Sequence, residues 1–227
     1  MAVSSKVHVV PKLILASASP RRREILKAAG IDFEILPVSV SELQKEGESA
    51  RRFVSRMATE KAEAALAELR KSPRKFPAMA RAIAVVAILG ADTVVVIDHQ
   101  TLGKPASPED ACRMLRLLSG RTHQVLTGLC ILYSAAGRTL WQSPCHRNVR
   151  VASTTVKFRR LTRSEIETYV ATREPFDKAG GYAIQGRASK FVEWIDGCYF
   201  NVVGLPVALL DRMLKEVRSV AGDVGAK

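Results

Sequence analysis

The segment Leu13–Gly30 constrains the fold more than any other part of the chain. An apolar run at 13–16 leads into the motif SASPRR at 17–22, and a helical pattern follows it. Ser19 suits the N-cap of that helix, Pro20 its first position, and the closing glycine the position just past its end. The segment therefore predicts a short buried strand, a tight turn and a helix.

The start of this helix has the composition of a phosphate site. Free backbone N–H groups at a helix N-terminus favour an anion. Arg21 and Arg22 add two guanidinium groups, and Ser17 and Ser19 add two hydroxyls. The alternative is an ordinary capped helix with a solvated basic first turn. Arginine opposes the helix dipole at this end, so stability alone does not explain two of them, and a phosphate site is favoured.

Composition indicates a globular protein without a membrane segment. The chain has 227 residues, 47% hydrophobic and 25% charged, which is enough to bury a sizeable core. Residues 1–11 lack the apolar stretch of a signal peptide. The longest apolar stretch, 82–97, is interrupted by Gly90 and Asp92 and is shorter than the ~20 residues of a membrane span. We expect a cytoplasmic protein.

The four cysteines are expected to be reduced packing residues, because none has a partner at zinc-ligand spacing. They are Cys112, Cys130, Cys145 and Cys198.

The net charge of +13 and the isoelectric point near 10 call for an anionic partner or a generally basic surface. Basic residues are spread along the chain, and aromatic residues make up only 6%. The aromatic residues are not interleaved with basic ones in the pattern that single-strand binders use for base stacking. A small polyanion therefore fits better than DNA or RNA, and no stable nucleic-acid partner is expected.

The order of predicted elements indicates one mixed α/β domain. Predicted strands cover 13–16, 33–36, 83–89 and 93–97 (one long strand or two abutting), 124–133, 138–147 and 149–158. Predicted helices cover 20–29, 49–70, 108–118, 164–172 (with Ser164 as N-cap) and 206–218. A hairpin turn is expected at 135–137. The domain fills 1–227, with its core at about 12–218, a basic loop insertion at 71–81 and a frayed tail at 219–227.

Asp92 stands inside the most apolar stretch of the chain, where a carboxylate is costly unless it is paired. It is either a turn aspartate that caps a strand end, or a general base or metal ligand at the lip of a cleft. Thr93 beside it could orient a ligand. Lys104, between Gly103 and Pro105, offers a point charge for phosphate, although this tripeptide alone is a weak signal. The chain has no P-loop motif, so Walker-type chemistry is not expected.

The segment 174–186 suits a ligand-binding loop. It holds Glu174, Asp177, Lys178, three glycines and Gln185. The Gln185 amide can both donate and accept, as reading the edge of a base requires. The alternative is a glycine-rich connector with satisfied surface charges. Two further residues, Glu42 and Lys61, would by themselves be read as a surface carboxylate and a solvated lysine.

Six motifs, taken together and in this order, resemble the Maf family of nucleotide pyrophosphatases. The match runs from Leu13 to about Leu214. The motifs are SASPRR (17–22), ADTVV (91–95), GKP (103–105), LSGRTH (118–123), EPFDKAG with IQG (174–180 and 184–186), and NVVGLP (201–206). The segments 177–180 and 184–186 resemble the branch that acts on dTTP and UTP. The stretch 69–86 is longer and more basic than is usual in the family.

The resemblance implies a mixed twisted sheet with flanking helices and two lobes around a central cleft, similar to the inosine triphosphatase fold. It implies hydrolysis of dTTP and UTP, and of modified pyrimidine triphosphates as further candidates, to monophosphate and pyrophosphate by water attack on the α-phosphorus. The implied role is nucleotide-pool cleaning, the cofactor a divalent cation (Mg²⁺ or Mn²⁺), and the assembly a homodimer.

The resemblance also assigns the site residues. Asp92 becomes the general base, and Glu42 and Lys61 fall on active-site positions together with Lys104. Phosphate binding falls to Ser17, Arg21, Arg22, Lys104 and Lys178. Base choice falls to Arg21, Thr93 and Gln185. The two metal-binding carboxylates are taken as Asp92 and Glu42.

Two other functions remain as alternatives. One is an inosine or xanthosine triphosphate pyrophosphatase of related fold. The other is a non-catalytic basic protein that binds nucleic acid or regulates a partner, with a vestigial pocket. Asp92, Lys104 and Gln185 argue against this second reading, because a lost enzyme is free to lose them.

Overall fold

The computed structural model describes residues 12–71, 86–134 and 146–222. The strands are β1 (Lys12–Leu15), β2 (Phe33–Ile35), β3 (Val86–Ile97), β4 (Gln100–Leu102), β5 (Thr122–Tyr133), β6 (His146–Phe158) and β7 (Val192–Asp196). The helices are α1 (Pro20–Ala28), α2 (Ala50–Lys71), α3 (Pro108–Leu118), α4 (Arg163–Ala171), α5 (Tyr199–Val203) and α6 (Val207–Gly222). Short 3₁₀ turns occupy Glu174–Asp177, Ala179–Gly181 and Arg187–Phe191.

The seven strands found in the described ranges form one mixed sheet in the order β2-β1-β3-β5-β6-β7, with β4 paired to the far end of β3. β1 is parallel to both β2 and β3, whereas the remaining pairs are antiparallel. Helices flank both faces of the sheet. The predicted mixed α/β class is therefore confirmed.

A gap in the sheet lies beside the middle of β3. β1 pairs only with residues 86–89 of β3, and β4 only with residues 95–97. β1 ends early because the chain turns away at Ser17 and enters α1 at Pro20, while the N–H of Ala16 still donates to the carbonyl of Leu89 at 2.9 Å. Within the described part of the chain, residues 90–94 of β3 thus have no strand on this side, and the side chains of the site gather there.

One face of the sheet is covered by α2, whose backbone touches the strands. A Cβ atom at Gly90 would lie 2.0 Å from the carbonyl oxygen of Ala58, and one at Gly128 would lie 2.3 Å from that of Val54. Only glycine allows this approach. The buried side of α2 is the one that the helical spacing predicts. All six predicted positions are buried: Phe53, Met57, Ala58, Lys61, Ala65 and Leu69.

The apolar core on the opposite face is divided into two clusters. One joins α1 and α6 to β1 and β3 through residues such as Leu13, Leu26 and Met213. The other joins α3 and α4 to β5 and β6 through residues such as Leu115 and Phe158. This division corresponds to the two expected lobes, and the gap beside β3 lies between them.

Several local predictions are corrected. The N-cap of α4 is Thr162 and not Ser164, because Thr162 and Glu165 form a reciprocal capping box. Residues 146–158 form a single strand, without the predicted break near residue 148, because residues 146–157 pair in unbroken register with β5. β4, β7 and α5 are not predicted, since each is too short to show a period. α6 continues past residue 218 to Gly222.

Three predictions lie wholly or mostly outside the described residues: the basic insertion at 71–81, the hairpin turn at 135–137 and the end of the tail. Lys71 itself is the last residue of α2. The described cysteines, Cys112, Cys130 and Cys198, are free thiols, and Cys145 is outside those ranges. None of the helices in the described ranges is both long and apolar enough to cross a membrane.

Candidate active site

A cavity of about 510 Å³ occupies the gap beside β3. Its wall is built by the turn between β1 and α1, residues 92–95 of β3, the loop after β4, the segment 177–182 and residues 202–204 at the end of α5. Of the ten site residues expected from the sequence, nine line this cavity. They are Ser17, Arg21, Arg22, Glu42, Lys61, Asp92, Thr93, Lys104 and Lys178.

Lys61 joins two carboxylates at the floor of the cavity. Its Nζ atom lies 2.6 Å from Oδ1 of Asp92 and 2.7 Å from Oε1 of Glu42. The side chains of Lys61 and Asp92 are only 10% and 11% exposed. Either charge would be costly to bury without the other, so each requires its partner at this place. Neither residue is a solvated surface charge.

Glu42 extends the cluster toward solvent. Its second oxygen, Oε2, accepts a hydrogen bond from Nζ of Lys104 at 3.1 Å. Partial burial raises the pKa of Glu42, but hydrogen bonds and charge from Lys61 and Lys104 outweigh this effect and bring the pKa below its ordinary value. Glu42 is therefore an anion at neutral pH, held between two lysines.

Asp92 lies in the middle of β3, at the strand edge that faces the gap. The alternative interpretation of Asp92, a turn residue that caps a strand end, is therefore wrong. Asp92 and Val94 point to the α2 face of the sheet, while Thr93 and Val95 point to the opposite face, because side chains alternate along a strand. The cavity reaches both faces and so brings Asp92 and Thr93 into one space.

Arg22 is buried and binds mainly to the protein itself. Its Nε donates to the carbonyl of Gly204 at 2.9 Å, and Nη1 donates to Ser17 Oγ at 3.0 Å and to the carbonyl of Ala91 at 2.9 Å. Nη2 donates to Oγ1 of Thr93 at 3.3 Å. Four of the five guanidinium N–H groups are thus directed to protein acceptors. Desolvation lowers the pKa of Arg22 from its usual value, an effect that Asp92 and Glu42 oppose.

The first turn of α1 starts without a side-chain cap. Ser19 occupies the N-cap position as predicted, but its hydroxyl makes no capping bond; its own N–H donates to Ser17 Oγ at 3.2 Å. The predicted N-cap position of Ser19 is therefore confirmed, but the hydroxyl that accepts bonds in this turn is that of Ser17, from the N–H of Ser19 and from Arg22.

Two further cations are held at the mouth of the cavity by Asp177. Nη2 of Arg21 lies 3.1 Å from Oδ2 of Asp177, and the buried ammonium of Lys178 donates to the other oxygen of the same carboxylate. Lys178 also donates to the carbonyl of Glu174 at 2.7 Å. Partial burial raises the pKa of Asp177, while the bond and charge of Lys178 and the charge of Arg21 lower it below its usual value.

Gln185 is exposed and does not line the cavity. It lies on a turn that Glu174 organises: the Glu174 carboxylate accepts from the N–H of Arg187 at 3.1 Å and from the hydroxyl of Tyr169 at 2.9 Å. The Tyr169 hydroxyl oxygen in turn accepts from the N–H of Ala183 at 3.2 Å. The role of Gln185 in base choice stays a prediction.

Sequence reasoning missed three polar residues that line the cavity or contact a residue that does. The ring of Tyr182 lines the cavity, and its hydroxyl lies 2.8 Å from Nε2 of buried His123. Burial lowers the pKa of His123 to about 4, so this histidine is neutral at pH 7. Thr127, fully buried on β5, lies with its hydroxyl 2.9 Å from that of Thr93. For His123 and Thr127, both on β5, the available signal was a polar residue inside an apolar strand, as for Asp92; Tyr182 lies outside the strands and has no such signal.

The carboxylates fit a divalent cation of the magnesium type. Within the described ranges, no group of three or more His, Cys, Asp or Glu side chains could hold a metal ion. Glu42 and Asp92 nevertheless share one ammonium, which brings two carboxylates to one side of the cavity. Mg²⁺ usually takes one or two protein carboxylates and completes its shell with water and substrate phosphates. The donor set therefore suits a cation that arrives with a polyphosphate.

Comparison with known proteins shows the family of the chain. The family model described as Maf-like protein matches residues 12–217. A Bdellovibrio bacteriovorus protein curated as dTTP/UTP pyrophosphatase is 42% identical over 91% of this chain and 98% of its own length. A Moorella thermoacetica protein of the same description is 45% identical over 89% of this chain and 93% of its own.

Among solved structures, the Staphylococcus aureus Ham1 protein covers 90% of this chain and 98% of its own, at 13% identity and a TM-score of 0.38. This remote likeness carries no functional conclusion. The family match, which spans most of the chain, and the two curated relatives show that the chain belongs to the Maf-like protein family.

Proposed function

We propose that this protein is a nucleoside triphosphate pyrophosphatase that hydrolyses dTTP and UTP to the monophosphate and pyrophosphate. The central observation is the buried Lys61–Asp92 ion pair at the floor of a cavity that also holds Arg21, Lys104 and Lys178. A carboxylate base surrounded by cations matches what attack on a polyphosphate needs. The relatives at 42–45% identity that carry the name dTTP/UTP pyrophosphatase support the same substrates.

In the proposed reaction, Asp92 accepts a proton from a water molecule as the water oxygen attacks the α-phosphorus. The bond between the α-phosphorus and the oxygen that bridges to the β-phosphorus then breaks, and pyrophosphate leaves with that oxygen. Lys61 holds Oδ1 of Asp92 and so orients the carboxylate, whose other oxygen is available for the proton. Lys104, Arg21 and Lys178 stabilise the negative charge that builds up on the leaving group.

The same proposal includes a divalent cation, Mg²⁺ or Mn²⁺, with Asp92 and Glu42 as protein ligands. When bound, the cation would neutralise part of the phosphate charge. Arg21 and Lys178 already share Asp177, so an incoming triphosphate has to compete with that carboxylate for them. The excess positive charge of the chain would speed capture of a polyanion, an effect that weakens with salt.

The test is product analysis with dTTP, UTP, CTP and ITP, each with Mg²⁺ and with a chelator. Metal-dependent release of pyrophosphate and monophosphate from dTTP and UTP is the expected result. Faster turnover of ITP would favour the inosine triphosphatase alternative, and release of inorganic phosphate with a diphosphate would move the attack to the γ-position. Absence of turnover, together with salt-sensitive oligonucleotide binding, would favour the binding-protein alternative.

Asp92→Asn is the matched variant for this assay. The amide oxygen can still accept a bond from Lys61, so the fold should persist while the base is removed. We expect kcat to fall by about two to three orders of magnitude, the usual contribution of a positioned general base. An unchanged kcat in the folded variant would show that Asp92 is not the base.

The homodimer and the cytoplasmic location belong to the same proposal and rest on the family resemblance. Light scattering after size-exclusion chromatography measures the assembly directly. A mass near twice the 24.8 kDa of one chain is expected, and a mass of one chain would contradict the dimer.

A further inference from the structure

The hydroxyls of Thr93 and Thr127 form a polar chain that starts in the cavity and ends in the core. Thr93 on β3 and Thr127 on β5 are direct cross-strand partners on the face opposite α2. Their Oγ1 atoms lie 2.9 Å apart, and Thr127 Oγ1 lies 3.2 Å from the backbone carbonyl oxygen of Asn201. On the cavity side, Nη2 of Arg22 donates to Thr93 Oγ1 at 3.3 Å.

The number of hydroxyl hydrogens determines which threonine donates in the hydrogen bond between Thr93 and Thr127. Each hydroxyl has one hydrogen to give; a carbonyl can only accept and a guanidinium can only donate. The contact with Asn201 uses the hydrogen of Thr127, so the bond between the hydroxyls uses the hydrogen of Thr93. In the reverse arrangement the oxygens of Thr127 and Asn201 would face each other in a fully buried place without a hydrogen between them, which is unfavourable.

Thr93 therefore presents only a lone pair to the cavity. Its hydrogen points away to Thr127, and one lone pair already accepts from Arg22. A Cβ atom on Gly204 would lie 3.5 Å from Thr93 Oγ1, so the glycine leaves space beside this oxygen. The free lone pair can accept a hydrogen bond from a ligand, and Thr93 has no hydrogen left to donate to one.

The cavity wall around Thr93 suits a nucleobase. On the same face of the sheet it is lined by Val95, Val125, Tyr182 and Val203, all largely buried. Lys61 and Asp92 lie on the other face, where the charge cluster suits phosphate. The base would thus lie beside Thr93, and the phosphates would extend from Lys61 and Asp92 toward Arg21 and Lys178 at the mouth of the cavity.

We infer that Thr127 is a positioning residue that makes the site select pyrimidines with a hydrogen on N3. Uracil and thymine carry that hydrogen and can donate it to Thr93. Cytosine has a lone pair at N3, which would meet the lone pair of Thr93. The inference rests on the proposed function, since it explains preference among triphosphates hydrolysed at this site. Thr127 does not line the cavity, but it would determine whether the Thr93 hydroxyl, which does, can donate a hydrogen bond to a ligand or only accept one.

The first test compares kcat/KM for UTP and CTP in the wild type, Thr127→Val and the matched control Thr127→Ser. Valine keeps the shape and removes the acceptor, so Thr93 becomes free to donate to cytosine. We expect the UTP-to-CTP ratio to fall about tenfold in Thr127→Val, the effect of about one hydrogen bond, with CTP turnover unchanged or higher. Thr127→Ser should keep the wild-type ratio. An equal loss for both nucleotides in Thr127→Val would make Thr127 merely structural and overturn the inference.

The second test needs no variant and stays valid if Thr127→Val fails to fold. The wild type is assayed with UTP and with UTP methylated at N3, which lacks the hydrogen. The methylated nucleotide should react at least tenfold more slowly, because its donor is gone. Equal rates for the two, or equal kcat/KM for UTP and CTP in the wild type, would overturn the inference and leave the proposed function standing. Failure of the wild type to hydrolyse UTP and dTTP would instead overturn the proposed function.

Discussion

Lys61 Nζ lies 2.6 Å from Oδ1 of Asp92, although the two residues are 31 positions apart in the chain. The same ammonium lies 2.7 Å from Glu42, which is also bound to Lys104. Two lysines and two carboxylates from four separate segments thus form one charge cluster. When two of these residues are replaced by neutral ones, the effects on the free energy of unfolding should therefore not be additive.

Lys61→Met is expected to destabilise the fold, and Asp92→Asn should reverse part of that loss. Methionine fills the space of lysine but leaves the Asp92 carboxylate buried without its cation, which costs about 3–5 kcal/mol. In the double variant the uncompensated charge is gone, so the free energy of unfolding should rise again while turnover stays absent. Urea denaturation of the wild type, both single variants and the double variant measures this coupling. Additive effects would contradict it.

Arg22→Lys should lower stability, although it conserves the charge. Lysine cannot make the fork of bonds that joins Ser17, Ala91 and Gly204, and we expect a loss of roughly 2–4 kcal/mol from several buried bonds. Arg21→Lys is the matched control: its one ion pair, with Asp177, is partly exposed and should contribute less than about 1 kcal/mol.

Chemical denaturation of these two variants measures how much the bonds of each arginine contribute to the free energy of unfolding. Equal, small losses for both would contradict a stabilising role for the internal bonds of Arg22.

Gly90→Ala should be severely destabilising, by about 3 kcal/mol or more. The added Cβ would lie 2.0 Å from the carbonyl oxygen of Ala58, so α2 would have to move away from the sheet. Gly103→Ala is the control, because a Cβ there meets nothing within 4 Å and no left-handed backbone is required. Thermal unfolding followed by circular dichroism measures both. A wild-type melting temperature for Gly90→Ala would contradict the close packing of α2.

Stability should fall between pH 6.5 and pH 4 because of His123. Burial lowers the pKa of His123 to about 4 in the folded protein, below its ordinary value of 6.5. The unfolded chain therefore binds the proton first as the pH falls, and the protein loses roughly 3 kcal/mol across this interval. Above pH 6.5 this residue contributes no pH dependence.

The variant His123→Gln, measured by urea denaturation at several pH values, should flatten that interval. Gln keeps a polar group for the Tyr182 hydroxyl without titrating. His146→Gln is the control, because His146 is exposed and its replacement should leave the fall in stability between pH 6.5 and pH 4 in place. Two carboxylates account for a further loss of stability at lower pH. Hydrogen bonds from Arg56 and Arg159 lower the pKa values of Glu48 and Glu165 to about 2. Their contribution to stability is therefore lost only below about pH 4.5. An unchanged slope in His123→Gln would contradict the assignment.

Elements with local signals can be predicted from the sequence. The proline and serines at 17–20 specify a turn into α1, and the apolar spacing of α2 specifies its buried side, because caps and helical periods involve residues within one or two turns. Asp92 could be singled out because one carboxylate in an apolar run has to find a partner. The motifs and their order were enough for the family.

Which distant groups come into contact depends on the folded structure. The hydrogen bond from Arg22 to Gly204 spans 182 positions, and that from Thr127 to Asn201 spans 74. No local pattern encodes such bonds, because pairing depends on where the sheet leaves a gap and on which polar groups are buried together. For the same reason the sequence alone suggested phosphate binding for Arg22, whereas the fold directs most of its donors inward. The direction of the Thr93 hydroxyl bond likewise depends on neighbours that only folding brings into contact.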